Sequence, residues 1–234
     1  MTIFDIIADY YDDSILNGRF NHDDVVKRLE PFIKEAPIFI TDLASGTGGM
    51  ADALHRKWPL AKVICEEPSV AMIKLLKGKF PDFPVHCTTL QETQITSQDL
   101  VTVAFNSINY IEPNLLFSVF KRIHSGTRVG GVLYFDALTK ESALYMLNGK
   151  PFMEKVTKRG ELTVCSRLTS EILFHRFSLD NGYFEEHAQY IVSEQEYLRL
   201  LLATNFEVLH VQSLPGTLRT EFVCKSVNKN IYKI

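Results

Sequence analysis

Apolar residues recur at helical spacing from Asn21 onward. Val25, Leu29, Phe32 and Ile33 share one face, Asn21 stands where a side chain caps the first turn, and Pro31 is placed to kink or shorten the end. A short apolar run, Ile38 to Leu43, follows and stops at a glycine-rich turn. A helix over about Gly49 to Trp58 leads to a second run, Ala61 to Cys65. Glu67-Pro68-Ser69 then ends that strand and caps a helix bearing Met72, Leu75 and Leu76. A weaker strand signal lies at Pro84 to Cys87 and a stronger one at Leu100 to Phe105. Leu116, Val119, Phe120 and Ile123 mark another helical face, and Gly130 to Asp136 reads as a turn feeding a buried strand. Strand and helix alternate throughout this stretch, which predicts a parallel α/β sheet.

The rhythm changes after Leu138. Leu162 to Leu168, Ile172 to Phe177 and Tyr183 to Ile191 read as strands, with Asp180-Asn181-Gly182 as the hairpin turn between the last two. Ser193 to Glu196 forms a capping box that opens a helix carrying Leu198, Leu201 and Leu202. Phe206 to Val211 and Arg219 to Lys225 close the chain as strands. The expected fold class is α/β: a Rossmann-like, mostly parallel sheet with an antiparallel last strand, helices on both faces, and a small antiparallel β insert. The expected division is a cofactor-binding core over 1–137 and 192–234, including an N-terminal helical lid, with a substrate-side insert over 138–191.

Composition narrows the class. The 234 residues are 46% hydrophobic and 23% charged, as in an ordinary globular enzyme, and the net charge of -3 gives no field that favours nucleic acid. Short basic groups (Lys74, Lys77 and Lys79; Lys155, Lys158 and Arg159) read as solvated faces. The start, Met1 to Asp5, lacks the basic and apolar regions of a secretory signal, and no apolar run approaches the ~20 residues of a membrane span. Cys65, Cys87, Cys165 and Cys224 are scattered, which disfavours a zinc site or a disulfide framework and fits reduced, buried thiols in a cytoplasmic protein.

Chemistry concentrates in the turn after the first strand. In an open α/β sheet, ligands bind outside the carboxyl ends of the strands. Asp42 closes the first strand, and Gly46, Gly48 and Gly49 follow. The glycines alone are ambiguous, since Gly46 to Ala51 also satisfies the G-x-G-x-x-A form of a dinucleotide fingerprint. Charge favours one ligand. A dinucleotide would bring a pyrophosphate against Asp42, whereas S-adenosyl-L-methionine brings a sulfonium and an ammonium. Glu67, about twenty residues on, stands where an acid bonds ribose hydroxyls.

With these residues in view, the chain resembles class I S-adenosylmethionine-dependent methyltransferases over nearly its whole length. Asp42 to Gly48 resembles the family's first motif, with Ala44 at its first glycine, a departure tolerated if Gly46 and Gly48 make the close approaches. The resemblance implies cofactor contacts from Asp42, Ala44, Ser45, Gly46, Thr47, Gly48, Glu67, Pro68 and Met72. Phe4 to Asp12 is similar to the N-terminal lid of small-molecule members, whose tyrosine, here Tyr11, closes over the cofactor. Phe105, Asn106 and Ser107, with Asn109 and Tyr110, resemble the fourth-strand motif beside the transferable methyl. The third strand departs from the family: Cys87 to Gln91 replaces its acid, so Thr88, Thr89 and Leu90 are the candidates near adenine. The late insert, with Glu185 to Tyr190, is similar to small-molecule N-methyltransferases, including those acting on amino sugars of natural products.

Methyl transfer is an in-line displacement, so positioning supplies most of the rate and no metal is required. Acceptor-side candidates are Tyr11, Asn109, Tyr110, Asp136 and His187, the last as a base if the acceptor carries a proton. The other histidines, His175 among them, read as structural, and Phe152, Phe174, Phe177 and Phe184 read first as core and second as pocket lining. The expected activity is methyl transfer from S-adenosyl-L-methionine to a small molecule, with nitrogen favoured, leaving S-adenosyl-L-homocysteine. A small-molecule acceptor is the one partner expected, with neither nucleic acid nor membrane, and monomer or homodimer stays open. Three alternatives stand beside it: a methyltransferase for tRNA or protein, a non-catalytic adenosyl-binding module, and, behind both, a nicotinamide-dependent oxidoreductase.

Overall fold

A computed structural model describes residues 4–16, 20–214, 217 and 219–228. Met1 to Ile3, part of the start read for a secretory signal, lies outside the described residues.

The N-terminal segment turns through two short helical stretches, Ala8–Tyr10 and Tyr11–Leu16. The core then alternates α1 (His22–Leu29), β1 (Phe39–Leu43), α2 (Gly49–Lys57), β2 (Lys62–Glu66), α3 (Val70–Lys79), β3 (Val85–His86), β4 (Gln98–Val103), α4 (Leu116–Gly126) and β5 (Thr127–Leu138). Asn21 caps α1 through a bond from Asp23 N–H, and Pro31 confines Glu30–Phe32 to a 3-10 turn. Two elements were not foreseen: α5 (Lys140–Leu147) and β6 (Met153–Arg159). Strands β7 (Leu162–Leu168), β8 (Ile172–Leu179) and β9 (Phe184–Tyr190), helix α6 (Glu194–Ala203) and strands β10 (Phe206–Ser213) and β11 (Arg219–Ser226) complete the order.

The main sheet runs β10-β11-β5-β4-β1-β2-β3, with β11 antiparallel to both of its neighbours and the rest parallel. Alternate residues of each strand feed the two faces. Leu133 and Phe135 pack against α4 and α6, whereas Val132 and Tyr134 pack on the side of α1 and α2. On the first side Phe135 stacks on Phe222 with ring centroids 4.6 Å apart. Each such fully buried side chain contributes roughly 1.5–3 kcal/mol, so these two layers carry most of the stability.

Strands β6-β7-β8-β9 form a separate antiparallel sheet. The expected hairpin is present: Gly182 takes φ +92°, and Leu179 N–H bonds Tyr183 O. This sheet has few fully buried side chains of its own. It is anchored by α5 on one side, through Ala143, Leu147 and Leu168, and by the N-terminal segment on the other, through Ile7, Leu162 and Phe177. β6 escaped the sequence reading because its charged residues come in adjacent pairs, Glu154-Lys155 and Lys158-Arg159, and α5 because it exposes Leu144, Tyr145 and Met146.

Two boundaries also move. β4 ends at Val103, because Phe105 and Asn106 both take left-handed φ (59° and 58°) to start the 3-10 turn Ser107–Tyr110. β5 begins at Thr127, with a register irregularity opposite Gln98 and Leu100. Cys65 and Cys224 are buried as expected, but Cys87 and Cys165 are exposed. Among the described residues no helix is long and apolar enough to cross a membrane.

Candidate functional site

The turn after β1 is built by backbone bonds between two strand ends. Ser45 N–H reaches Glu66 O at 3.0 Å, Ser45 Oγ donates to Asp42 O at 2.7 Å, and Gly48 N–H closes back on Ser45 O at 2.9 Å. Glu67 accepts from Gly46 N–H at 2.8 Å and from Ser69 N–H at 2.9 Å, which ties the turn to the start of α3. Burial raises its pKa, and the two N–H groups oppose that shift. Ser69 caps α3 and accepts from Met72 N–H.

Asp42 is 1% exposed. Its Oδ1 accepts from Thr102 Oγ1 at 2.6 Å, and its Oδ2 has no partner among the described residues. Burial pushes the carboxyl up to about 7, against the bonds from Thr102 and Ser45. The repulsion of a pyrophosphate argued from sequence is therefore weaker than a surface carboxylate would give. A cation beside Oδ2 would restore the charge. Asp42, Ala44, Ser45 and Thr47 border a small cavity of about 30 Å³ at this point.

The glycines divide their work in a way the motif did not reveal. Gly46 (φ +54°) faces the Tyr11 ring, with a Cβ position 3.8 Å from Cε1. Gly48 (φ +90°) faces away from the cavity. A Cβ there would meet Leu76 Cγ at 2.9 Å and Phe80 Cδ2 at 3.0 Å, so its close approach is to α3. Ala44, at the family's first glycine, sits at φ 53° with a side chain that this region disfavours.

A cavity of about 400 Å³ runs from this turn to the small sheet. Gly46, Glu67, Pro68 and Met72 border one end, with Thr89, Leu90 and Gln91 beside them. Thr88 is outside the lining, and Thr89 spends its hydroxyl on Glu92 at 2.8 Å. Phe105, Asn106, Ser107 and Tyr110 form the middle. Phe4 and Tyr11 cover it, their rings edge to face at 5.6 Å. Polar bonds latch this cover: Thr47 Oγ1 donates to Asp12 at 2.7 Å, Lys79 pairs with Asp12, and Ser69 Oγ donates to Asp5 at 2.8 Å. Glu185 of β9 accepts from both Ile6 and Ile7 N–H at 2.9 Å, so the cover is also held by the small sheet. Burial drives the Tyr11 hydroxyl far above its ordinary pKa, which keeps it neutral.

The acceptor-side candidates separate. Tyr11 and Tyr110 line the cavity. His187 does not: it is 1% exposed, with Phe4 at 4.4 Å between ring centroids, and its Nδ1 lies 3.1 Å from Tyr110 Oη. Behind the lining it contacts Tyr110, Phe4 and Phe177. Asn109 is not brought to the cavity either. Its Nδ2 donates to Leu138 O and Tyr190 O while its Oδ1 accepts from Leu138 N–H, so it clamps β5 to β9. Asp136 is buried beneath the left-handed turn and accepts from Asn106 N–H at 2.5 Å. The sequence reading put Asp136 at the end of its strand, but β5 runs on to Leu138, so the residue lies within the strand and outside the cavity lining.

The far wall holds residues that the sequence reading passed over. Lys155 and Arg159, read as a solvated face, line the cavity together with Ser166, His175 and Gln189. Phe177 lines it too, whereas Phe152 and Phe184 lie at the surface under Arg167 and Arg176. Period-two alternation along β6 to β9 was the available signal, but it identifies a face only once the sheet is known to exist. Among the described residues no group of three or more His, Cys, Asp or Glu is placed to hold a metal.

Residues 40–131 match the family model of a methyltransferase domain. By sequence, no curated protein matches the chain at a significant level. The chain is similar to solved S-adenosylmethionine-dependent methyltransferase structures. One, from Clostridium acetobutylicum ATCC 824, aligns with a TM-score of 0.79 at 18% identity, covering 97% of this chain and 100% of that one. The sugar N-methyltransferase KedS8 from Streptoalloteichus sp ATCC 53650 gives 0.72 at 19% identity, over 97% and 94%. CalS10, an amino pentose methyltransferase from Micromonospora echinaspora, gives 0.69 at 16% identity, over 97% and 99%. The chain therefore has the Rossmann-like fold of these methyltransferases.

Proposed function

We propose that the protein transfers a methyl group from S-adenosyl-L-methionine to an amine of a small molecule. The observation that carries this reading is the single covered cavity joining the Gly46–Glu67 turn to the small-sheet wall, within a chain whose residues 40–131 match a methyltransferase domain. The residues at the turn suit the methyl donor. Glu67 offers a carboxylate already fixed by two N–H groups, Met72 and Leu90 offer apolar sides, and Asp42 Oδ2 is a buried acceptor in want of a cation. We take 1–137 and 192–234 as the cofactor-binding core with its lid, and 138–191 as the acceptor-side insert.

Bound S-adenosyl-L-methionine supplies a methyl carbon already activated by its sulfonium. The chain's own part is positional. Tyr11 and Phe4 exclude water over the reacting atoms, the Phe105–Asn106 turn sets the floor, and Tyr110, oriented by His187, borders the acceptor. Holding the two reactants in near-attack geometry accounts for up to ~7–11 kcal/mol of barrier.

The first test is thermal stability with ligands. S-adenosyl-L-homocysteine at 100 times its dissociation constant should stabilise the fold by about 2.7 kcal/mol, and NAD should not. The reverse pattern would sink the cofactor assignment. Labelled methyl transfer is then measured to amines, phenols and bulk tRNA. Label in amines supports the reading; label in tRNA alone replaces it with a macromolecular one.

A further inference from the structure

Four side chains stand in one row across the small sheet. The register pairs Lys155 with Ser166, Ser166 with His175, and His175 with His187. Directly paired residues of antiparallel strands project from the same face, with strands about 4.8 Å apart. The row thus runs from the cavity rim at Lys155 inward to His187, which is sealed behind Tyr110 and Phe4. Leu173 and Phe177, two residues either side of His175 on the same strand, give it apolar flanks within the lining.

His175 is half-buried and its Nδ1 lies 2.7 Å from Ser166 Oγ, which fixes the ring. The other nitrogen, Nε2, has no hydrogen-bond partner among the described residues, and it is not among their sealed, unpartnered polar atoms. It therefore remains open on a ring that lines the cavity. Burial, with His187 alongside, pushes the ring pKa down to about 4, so the imidazole is neutral at neutral pH. A neutral imidazole of lowered proton affinity is poorly matched to taking a proton from an alkylammonium. It also gives no attraction to an anion. What it offers is one directed hydrogen bond to an uncharged polar group.

We infer that His175, steadied by Ser166, is an acceptor-binding residue that hydrogen-bonds a hydroxyl group carried near the acceptor's amine. One strand spacing separates it from His187, the partner of Tyr110. Tyr110 borders the proposed amine site, so the fitting acceptor carries its hydroxyl close to its amine, as an amino alcohol does. This rests on the small-molecule amine reading above.

The probes are 2-aminocyclohexanol and cyclohexylamine, which differ by the hydroxyl alone. With the wild-type protein, kcat/KM should favour the amino alcohol. His175→Ala should raise KM for it roughly 3- to 10-fold, the worth of one hydrogen bond, with little change for cyclohexylamine. His175→Gln should recover part of the loss, and Ser166→Ala should show a smaller rise. The acidic limb of the pH–rate profile should be the same in wild type and His175→Ala. Equal losses on both amines, or an acidic limb that disappears in the variant, would overturn the inference. Diethyl pyrocarbonate, which acylates accessible unprotonated imidazoles, supplies a readout independent of turnover. At neutral pH it should label His175 and spare His187, and an unlabelled His175 would also overturn the inference. If S-adenosyl-L-homocysteine fails to stabilise the protein, or no amine is methylated, the proposed function fails instead, and the labelling alone decides for His175.

Discussion

Replacing Asp42 by asparagine should make the ligand-free protein more stable at neutral pH while weakening cofactor binding. The carboxyl is 1% exposed and is raised from an ordinary 3.8 to about 7, chiefly by burial. Because the folded-state pKa lies above the unfolded one, the protonated carboxyl is the form the fold accepts. Its contribution is intact below about pH 4 and is lost as pH rises through about 7. Three units at about 1.4 kcal/mol each set a ceiling of roughly 4 kcal/mol on the cost of ionising it in place. Asparagine removes that cost and keeps an acceptor for Thr102, but it buries an amide donor worth about 1–3 kcal/mol if unmet. The net gain is about 1–3 kcal/mol near pH 7.5, shrinking by about 2 kcal/mol near pH 5. Urea unfolding of both proteins at the two pH values measures it, and S-adenosyl-L-homocysteine titration measures the loss of binding. A variant less stable than wild type at both pH values, or a difference that ignores pH, would refute the reasoning. A difference that ignores pH would mean that the Asp42 carboxyl ionises alike in the folded and unfolded chain.

Ala44→Gly should stabilise the fold by about 0.5–1 kcal/mol in urea unfolding, because it relieves a side chain held at φ 53°. Gly48→Ala should cost roughly 2–4 kcal/mol, read as a lowered melting temperature, since the new Cβ collides with Leu76 and Phe80 at an unfavourable φ. Asn109→Ala should cost about 2–4 kcal/mol and speed amide exchange at Leu138, because three backbone partners lose their bonds. A catalytic role for Asn109 would instead show as lost turnover with unchanged stability.

The α/β core was legible because its signals are local. The capping by Asn21, Ser69 and Ser193 and the apolar face of α4 each declare an element without knowledge of the rest. The glycine turn after β1 was legible in the same way, though its bond from Gly46 N–H to Glu67 was not foreseen. Glycine identity, however, does not state its reason. Gly46 and Gly48 look alike in a motif, yet one faces the cover and the other faces α3, and only the path of α3 tells them apart.

The acceptor wall was illegible for a different physical reason. Lys155, Ser166 and His175 are separated by 11 and 9 positions, and nothing local marks them as neighbours. They meet because two antiparallel registers place them side by side, and a shift of one residue in either register would turn one of them to the other face. The strand that sets the first register, β6, was itself missed. The same dependence argues that acceptor choice is the labile feature of this fold. The proposed cofactor contacts sit on a turn fixed by backbone bonds between β1, β2 and α3, whereas the wall hangs on α5, the lid and the Asn109 clamp. Changes there can remodel the acceptor row without disturbing the Glu67 end of the cavity. Swapping His175 and Ser166 should therefore alter which amine is preferred while S-adenosyl-L-homocysteine binds as before.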